Sequence, residues 1–118
     1  MEKSTFKERT KSFALKIIKV VETLPRGRTA DIFARQLLRS GTSVGANYRS
    51  ACRAKSTADF ISKMGIVEEE TDETMYWMEL LVECGLVRKD DVTQLLDEAN
   101  QILAITISSI KTARRSKK

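Results

Sequence analysis

The segment that decides the fold is "LLRSGTSVGANYRSACRAKS", which runs from Leu37 to Ser56. Gly41 and Gly45 lie in its middle, and each glycine costs a helix about 1 kcal/mol relative to alanine. Apolar and small residues nevertheless recur at helical spacing through both glycines, at Phe33, Leu37, Gly41, Val44, Tyr48 and Ala51 or Cys52. This unbroken phase predicts one helix over about residues 30–54. The alternative is two helices separated by a "RSGTS" loop, since glycine and serine often break helices.

A first helix is predicted ahead of this segment. Its apolar positions recur every three or four residues over about 5–24, at Phe6, Phe13, Ile17, Val20 and Leu24. Pro25 ends the pattern, and Thr29 is a candidate cap for the next helix.

Two further helices follow the opening segment. Ser56 and Asp59 form a capping-box-like start, and apolar positions in three–four alternation predict a helix over about 57–84. Gly85 is the expected C-cap residue of that helix. A fourth amphipathic pattern covers about residues 91–113.

Four amphipathic helices with short connections indicate an all-α protein, an antiparallel up-down-up-down four-helix bundle. The chain of 118 residues suits one such domain, over residues 1–113, with 114–118 as a basic tail. The apolar runs are too short to span a membrane, and the N-terminus has no signal-peptide core, so we expect a cytoplasmic protein.

The composition argues against an enzyme. The chain contains no histidine, which removes the commonest general base and metal ligand. Cys52 and Cys84 form no disulfide framework and are interpreted as small buried hydrophobic residues. The acidic run Glu68 to Glu73 is interpreted as charge pairing rather than as a weak Mg²⁺ site. We therefore expect no catalytic residue, cofactor, metal or small-molecule substrate.

Charge is segregated along the chain. Residues 1–66 carry a net charge of +9, residues 67–100 carry −9, and residues 101–118 carry +5. In a compact bundle the acidic block must lie beside basic ones, so part of this charge is expected to pair within or between subunits.

A row of basic residues is the candidate nucleic-acid-binding surface. Arg35, Arg39, Arg49 and Arg53 share one track of the second helix, roughly 160–200° from its apolar seam. A surface suited to phosphates is completed by Lys55, Lys111, Arg114, Arg115, Lys117 and Lys118. The alternative is a solvated or salt-bridged face. Arg39 in particular is expected at the same height along the bundle as acidic residues of the third helix, with which it can pair.

The glycines indicate a close approach of two backbones. If the second and third helices pair antiparallel about Lys55, Gly45 lies level with Gly65 and Gly41 with Glu70. Small residues at one level let backbones approach. A neighbouring helix, a second subunit or a phosphate remain possible occupants, although a phosphate-binding loop is excluded because no Lys-Ser/Thr follows the glycines.

The motifs resemble a known bacterial family. "LLRSGTSVGANYR" and "ADFISKMGIVEEETDETMYWMELL", together with "FALKIIKVVETLP" and "EANQILAITISSIKTAR", are similar to the four-helix-bundle proteins encoded in intervening sequences of 23S ribosomal RNA genes. The resemblance covers almost the whole chain. It marks Ser40, Gly41, Ser43, Gly45, Asn47 and Tyr48, with the flanking arginines, as a family motif for packing or another role. Ser50 departs from the glutamate that relatives often carry there.

The resemblance implies a ring, typically a homopentamer. A more distant similarity to the basic pentameric accessory protein of diversity-generating retroelements implies binding of RNA or of a nucleic-acid complex. We therefore expect a non-catalytic oligomeric nucleic-acid-binding protein, with RNA as its ligand. The alternative is a homo-oligomeric scaffold for a protein partner, in which subunit contacts use the basic residues.

Overall fold

The computed structural model describes residues 2–116, and Lys117 and Lys118 of the expected basic surface lie outside that range. Four helices account for most of these residues, which confirms the all-α prediction: α1 is Lys3–Thr23, α2 is Arg28–Cys52, α3 is Thr57–Glu83 and α4 is Lys89–Ser116. The bundle measures 50 × 22 × 21 Å.

Side-chain contacts show that α1 and α2 are antiparallel. Ile17 of α1 lies at Gly41, and Thr10 lies at Gly45. Farther along, Phe6 meets Tyr48 edge to face, with ring centroids 4.6 Å apart. As residue numbers fall along α1 they rise along α2. The helix α2 runs unbroken through both glycines, which confirms the prediction of one helix.

The close approach involves α1, and the expected crossing with Gly65 of α3 is wrong. A Cβ atom at Gly41 would lie 2.8 Å from Cγ2 of Ile17, whereas one at Gly65 would meet nothing within 4 Å. Pairing residues by number predicts their level along the helix axis but not their direction around it. Gly41 and Gly45 face α1, so the space that they leave is filled by Ile17 and Thr10.

The helix α3 packs on another side of α2 through polar and aromatic contacts. The Thr74 hydroxyl donates a hydrogen bond to Oγ of the buried Ser40 at 2.9 Å. The Phe33 and Trp77 rings lie 5.5 Å apart. On the opposite side, Arg9 of α1 donates to the Gln101 side chain of α4 at 2.9 Å. These contacts complete the up-down-up-down arrangement.

The core is a continuous apolar interior with hydroxyl groups embedded in it. Sixteen buried residues form one cluster, which includes Phe13, Ile17 and Leu37. The buried polar residues are Thr10, Ser40, Thr71, Thr74 and Thr106. Within residues 2–116, every buried side-chain nitrogen or oxygen has a hydrogen-bond partner. The hydroxyls are therefore accommodated without the cost of an unpaired polar group.

The helix ends follow most of the local signals. Ser56 accepts a hydrogen bond from the Asp59 amide at 3.0 Å, and Gly85 has a φ of 83°, as a C-cap glycine requires. Thr29 lies inside α2 rather than capping it. Residues 114–116, expected in a tail, continue α4, because arginine is a good helix former and its charge suits a helix C-terminus.

Replacing Gly41 by alanine tests the α1–α2 contact, with Gly65→Ala as the matched control. Both changes improve helix propensity by about 1 kcal/mol. Only Gly41→Ala forces a methyl group against the fully buried, stiff side chain of Ile17. We expect Gly65→Ala to raise the free energy of unfolding measured with urea. We expect Gly41→Ala to lie about 1–3 kcal/mol below it, and equal effects would contradict this packing.

Candidate nucleic-acid interface

The antiparallel topology gathers basic residues at one end of the bundle. The N-terminal half of α1, the C-terminal half of α2, the start of α3 and the end of α4 meet there, because Lys3, Lys55 and Ser116 border one surface depression. In residues 2–14, 46–66 and 104–116, eleven Lys and Arg residues stand against three Asp and Glu residues. In residues 17–37 and 74–96, which lie towards the other end, six stand against six, and Glu98 of α4 lies level with the cationic end, where it pairs with Arg9. The cationic character is therefore local.

A groove of about 460 Å³ runs between α1 and α2 within this cationic end. Its walls carry three cations, Lys7, Lys11 and Arg49, and one carboxylate, Glu8. Small side chains form the rest of the surface, namely Thr10, Ala14, Thr42, Gly45 and Ala46. The groove exists because the close approach of α1 and α2 leaves only small residues at its base. We call it the α1–α2 groove.

A second groove, of about 420 Å³, lies on the other side of the outward face of α2. It is bordered by Ala46, Arg49, Ser50, Arg53 and Lys63, without a carboxylate. Lys63 is partly neutralised, since its Nζ lies 3.1 Å from the Asp59 carboxylate. Arg49 and Ala46 border both grooves. We call this second one the α2–α3 groove.

Asp59 serves the helix start rather than the groove. Its carboxylate accepts a hydrogen bond from the Lys55 amide at 3.1 Å as well as from Lys63. The Lys55 hydrogen bond, followed by that of Lys63, lowers the pKa of Asp59. The carboxylate is thus held ionised as a structural group.

The predicted row of basic residues on α2, which we call the predicted stripe, contains Arg35, Arg39, Arg49 and Arg53. These four arginines have different environments. Arg39 bridges two carboxylates of α3, with its Nη1 atom 3.1 Å from Glu70 and its Nη2 atom hydrogen-bonded to Glu73. That hydrogen bond to Glu73 raises the pKa of Arg39. Arg49 and Arg53 are exposed, and neither makes a salt bridge within residues 2–116.

Arg35 lies far from both grooves. It is exposed on α2, 14 residues before Arg49, which corresponds to about 21 Å along the helix axis. The exposed residues Arg114 and Arg115 lie at the end of α4, beside the depression that Lys55 borders. The structure thus brings the second half of the predicted stripe together with the end of α4, and leaves Arg35 apart.

Sequence reasoning missed the contribution of α1 and α3 to this surface. Lys7 and Lys11 lie four residues apart on α1, and their register against Arg49 depends on the contacts of Gly41 and Gly45. Helical spacing within α1 was a usable signal for Lys7 and Lys11. To predict that Lys7 and Lys11 lie beside α2, one must also know which face of α1 is turned towards α2.

The motif residues of α2 lie mostly in contacts between helices. Ser40 bonds to Thr74 of α3, Gly41 and Gly45 contact α1, and Tyr48 packs on Phe6. Burial raises the pKa of the Tyr48 phenol, and the neighbouring Cys52 thiol raises it further. The other two motif residues stay within α2, where the Asn47 amide donates to the Ser43 carbonyl oxygen at 2.8 Å.

The two cysteines and the aromatic pair Tyr76 and Trp77 lie in different environments. Cys84 is exposed at the C-cap of α3, so its interpretation as a buried residue is wrong, because the helix has ended there. Cys52 is half-buried. Trp77 packs against Phe33 while Tyr76 is 54% exposed. Within residues 2–116 no group of three His, Cys, Asp or Glu side chains could hold a metal ion.

Comparison with known proteins assigns the family. Residues 2–108 match the family described as 23S rRNA-intervening sequence protein. The chain belongs to this family. A crystal structure of a protein with unknown function from the S23 ribosomal protein family of Bacteroides thetaiotaomicron is 35% identical, with a TM-score of 0.87. The match covers 94% of this chain and 99% of that one. No curated protein matches significantly.

In this member of the 23S rRNA-intervening sequence family, the helices α1, α2 and α3 carry the cations that border the two grooves. In the part of the chain that the structure describes, no helix has the length and apolar character needed to cross a membrane.

The pairing of Arg39 can be tested against Arg35, which has the same charge on the same helix. Arg39→Gln removes a network of three charges, so we expect it to lower the free energy of unfolding by about 0.5–1 kcal/mol. Arg35→Gln should cost less than half of that value. Urea unfolding at low and high salt measures both, and the Arg39 effect should shrink at high salt. Equal, salt-independent effects would show that the network contributes nothing.

Proposed function

We propose that this protein is a cytoplasmic, non-catalytic, homo-oligomeric protein that binds nucleic acid, with RNA as its ligand, through the cationic end of the bundle. The observation that supports this proposal most is the position of Arg49. It is exposed, makes no salt bridge within residues 2–116, and borders two grooves at once. Such cations gain counterion-release free energy when they meet phosphates.

The division of the arginines supports the same proposal. The acidic run of α3 neutralises Arg39 through Glu70 and Glu73 but does not reach Arg49 or Arg53. Charge pairing therefore consumes one part of the predicted stripe and leaves another available. The binding residues of the proposal are Arg49, Arg53, Lys55, Arg114 and Arg115, joined by Lys7 and Lys11.

The proposal of a non-catalytic role rests on side-chain chemistry. The cationic grooves are lined by Lys, Arg and small residues, with Glu8 as their one carboxylate. A single exposed carboxylate without a partner base or nucleophile offers no acid–base pair. RNA is proposed rather than DNA because the distant similarity to the accessory protein of diversity-generating retroelements implies binding of RNA or of a nucleic-acid complex.

The proposed homo-oligomer, a pentameric ring, draws on the exposed faces of α1 and α3. Ile66, Glu69, Asp72, Tyr76 and Glu79 follow one another at three- and four-residue spacing and are all exposed. This acidic face with apolar members is complementary to an exposed face of α1 that carries Leu15, Ile18 and Lys19 and leaves the α1–α2 groove open. Two different faces in contact give a head-to-tail arrangement that can close into a ring.

A protein scaffold is the second candidate function. It is favoured by the exposed apolar residues Leu15, Ile18 and Leu38, which lie on the helices that carry the cations. In that case subunit contacts would cover Lys7, Lys11 and Arg49, and binding to a protein partner would be insensitive to salt.

Neutralising Arg49 and Arg53 tests nucleic-acid binding. We expect wild-type protein to bind a fluorescein-labelled oligouridylate at low salt, with the binding constant falling steeply as salt rises. Arg49→Gln with Arg53→Gln should weaken binding and reduce the slope of log K against log salt by about 1.4, because two phosphate contacts are lost. Fluorescence anisotropy over a salt series measures both quantities.

The matched control for this prediction is Arg26→Gln with Arg88→Gln. It changes the net charge equally, but at exposed positions at the other end of the bundle. Equal weakening by both pairs would show that only net charge matters, and no binding by wild type at low salt would reject the function.

Charge reversal at Glu69 and Asp72 tests the ring. We expect sedimentation velocity to give a species of about five subunits for wild type. Glu69→Lys with Asp72→Lys should dissociate it, because like charges then face each other. A monomer at low and moderate salt for wild type would reject the oligomer.

A further inference from the structure

The two cationic grooves are separated only by the outward face of α2 at Ala46. Ala46 and Arg49 are the two residues that border both grooves. Ala46 is exposed and its side chain is only a methyl group. No long side chain therefore projects from α2 between the two grooves at this point. Arg49 stands one turn farther along α2 and can reach into either groove.

The cations around this crossing point lie on both sides of α2. Lys7 and Lys11 line the α1–α2 groove, Arg53 lines the α2–α3 groove, and Arg49 belongs to both. A polyanion that occupied one groove alone would meet only part of this set. A chain of phosphates that passes over Ala46 meets all four cations.

We propose that a single-stranded nucleic acid crosses α2 over Ala46 and places phosphates in both grooves. Lys7, Lys11 and Arg49 bind phosphates on the α1 side, and Arg49 and Arg53 bind them on the α3 side. This inference rests on the proposed nucleic-acid binding and specifies the form of the ligand and its path. Ala46 is the positioning residue, because its small size keeps the crossing open.

The shape of the surface selects a single strand over a duplex. A single strand can bend within a few nucleotides and descend on each side of a helix. Duplex nucleic acid is stiff over about 150 base pairs for DNA. The bundle is only 21–22 Å across, so a duplex would rest on the outer surface without following both grooves.

The chemistry of the grooves predicts backbone recognition without base reading. Their linings contain cations, small residues and the single carboxylate of Glu8, and no aromatic side chain on which a base could stack. Phosphate contacts position a nucleic acid but carry no sequence information. An unstructured oligouridylate is therefore a sufficient probe.

Enlarging Ala46 tests the crossing without changing the charge. Ala46→Leu keeps every cation and a good helix former, but places a branched side chain between the grooves. We expect it to weaken binding of the fluorescein-labelled oligouridylate by about tenfold. Ala104→Leu, at an exposed position of α4, is the matched control and should stay within about twofold of wild type. Ala46→Gln is a second variant, and circular dichroism checks that all three variants unfold at the wild-type midpoint.

The outcomes separate this inference from the proposed function. If Ala46→Leu and Ala46→Gln bind as wild type does, while the Arg49 and Arg53 neutralisation weakens binding, the crossing is wrong and the function stands. If wild type does not bind the oligouridylate at low salt, both fail. A labelled adenine–uracil RNA duplex of the same length should bind more weakly than the single strand, and equal or tighter duplex binding would overturn the selection of a single strand.

Discussion

The contact of Ile17 with the bare backbone at Gly41 sets the position of α1 on α2. Any side chain at Gly41 would place its Cβ within 3 Å of a fully buried, β-branched residue. With that contact made, Thr10 is aligned with Gly45 and Phe6 with Tyr48. Lys7 and Lys11, on the outer side of the same stretch of α1, then lie beside Arg49. A packing constraint in the core thus determines which cations share a groove on the surface.

Electrostatics follow from the topology. An antiparallel bundle places the start of α1 and the end of α4 at the same end as the α2–α3 connection, so three basic stretches of the chain become neighbours. The acidic run of α3 lies farther along the bundle, where Glu70 and Glu73 neutralise Arg39. The net charge of +5 is therefore the sum of a strongly cationic end and a remainder whose net charge is negative.

The motif shared with the family is best understood as a packing device. Ser40, Gly41, Gly45 and Tyr48 contact neighbouring helices, and Gly45 also lines the α1–α2 groove. The 35% identical structure, with a TM-score of 0.87, has the same fold as this chain. The residues with chemistry to offer a ligand are the cations around the motif. Their roles depend on which carboxylates reach them.

By itself the sequence determined the four helices, the continuity of α2 through its glycines and the family, because apolar spacing and breakers are properties of each local segment. It also determined that Arg49 and Arg53 point away from the seam of α2. Only the tertiary structure decided that the glycines face α1 rather than Gly65, that Arg39 is neutralised by Glu70 and Glu73, and that Lys7 and Lys11 border a groove with Arg49. Periodicity gives the level of a residue along its helix, whereas the direction of that helix face towards a neighbour is set by how all four helices pack.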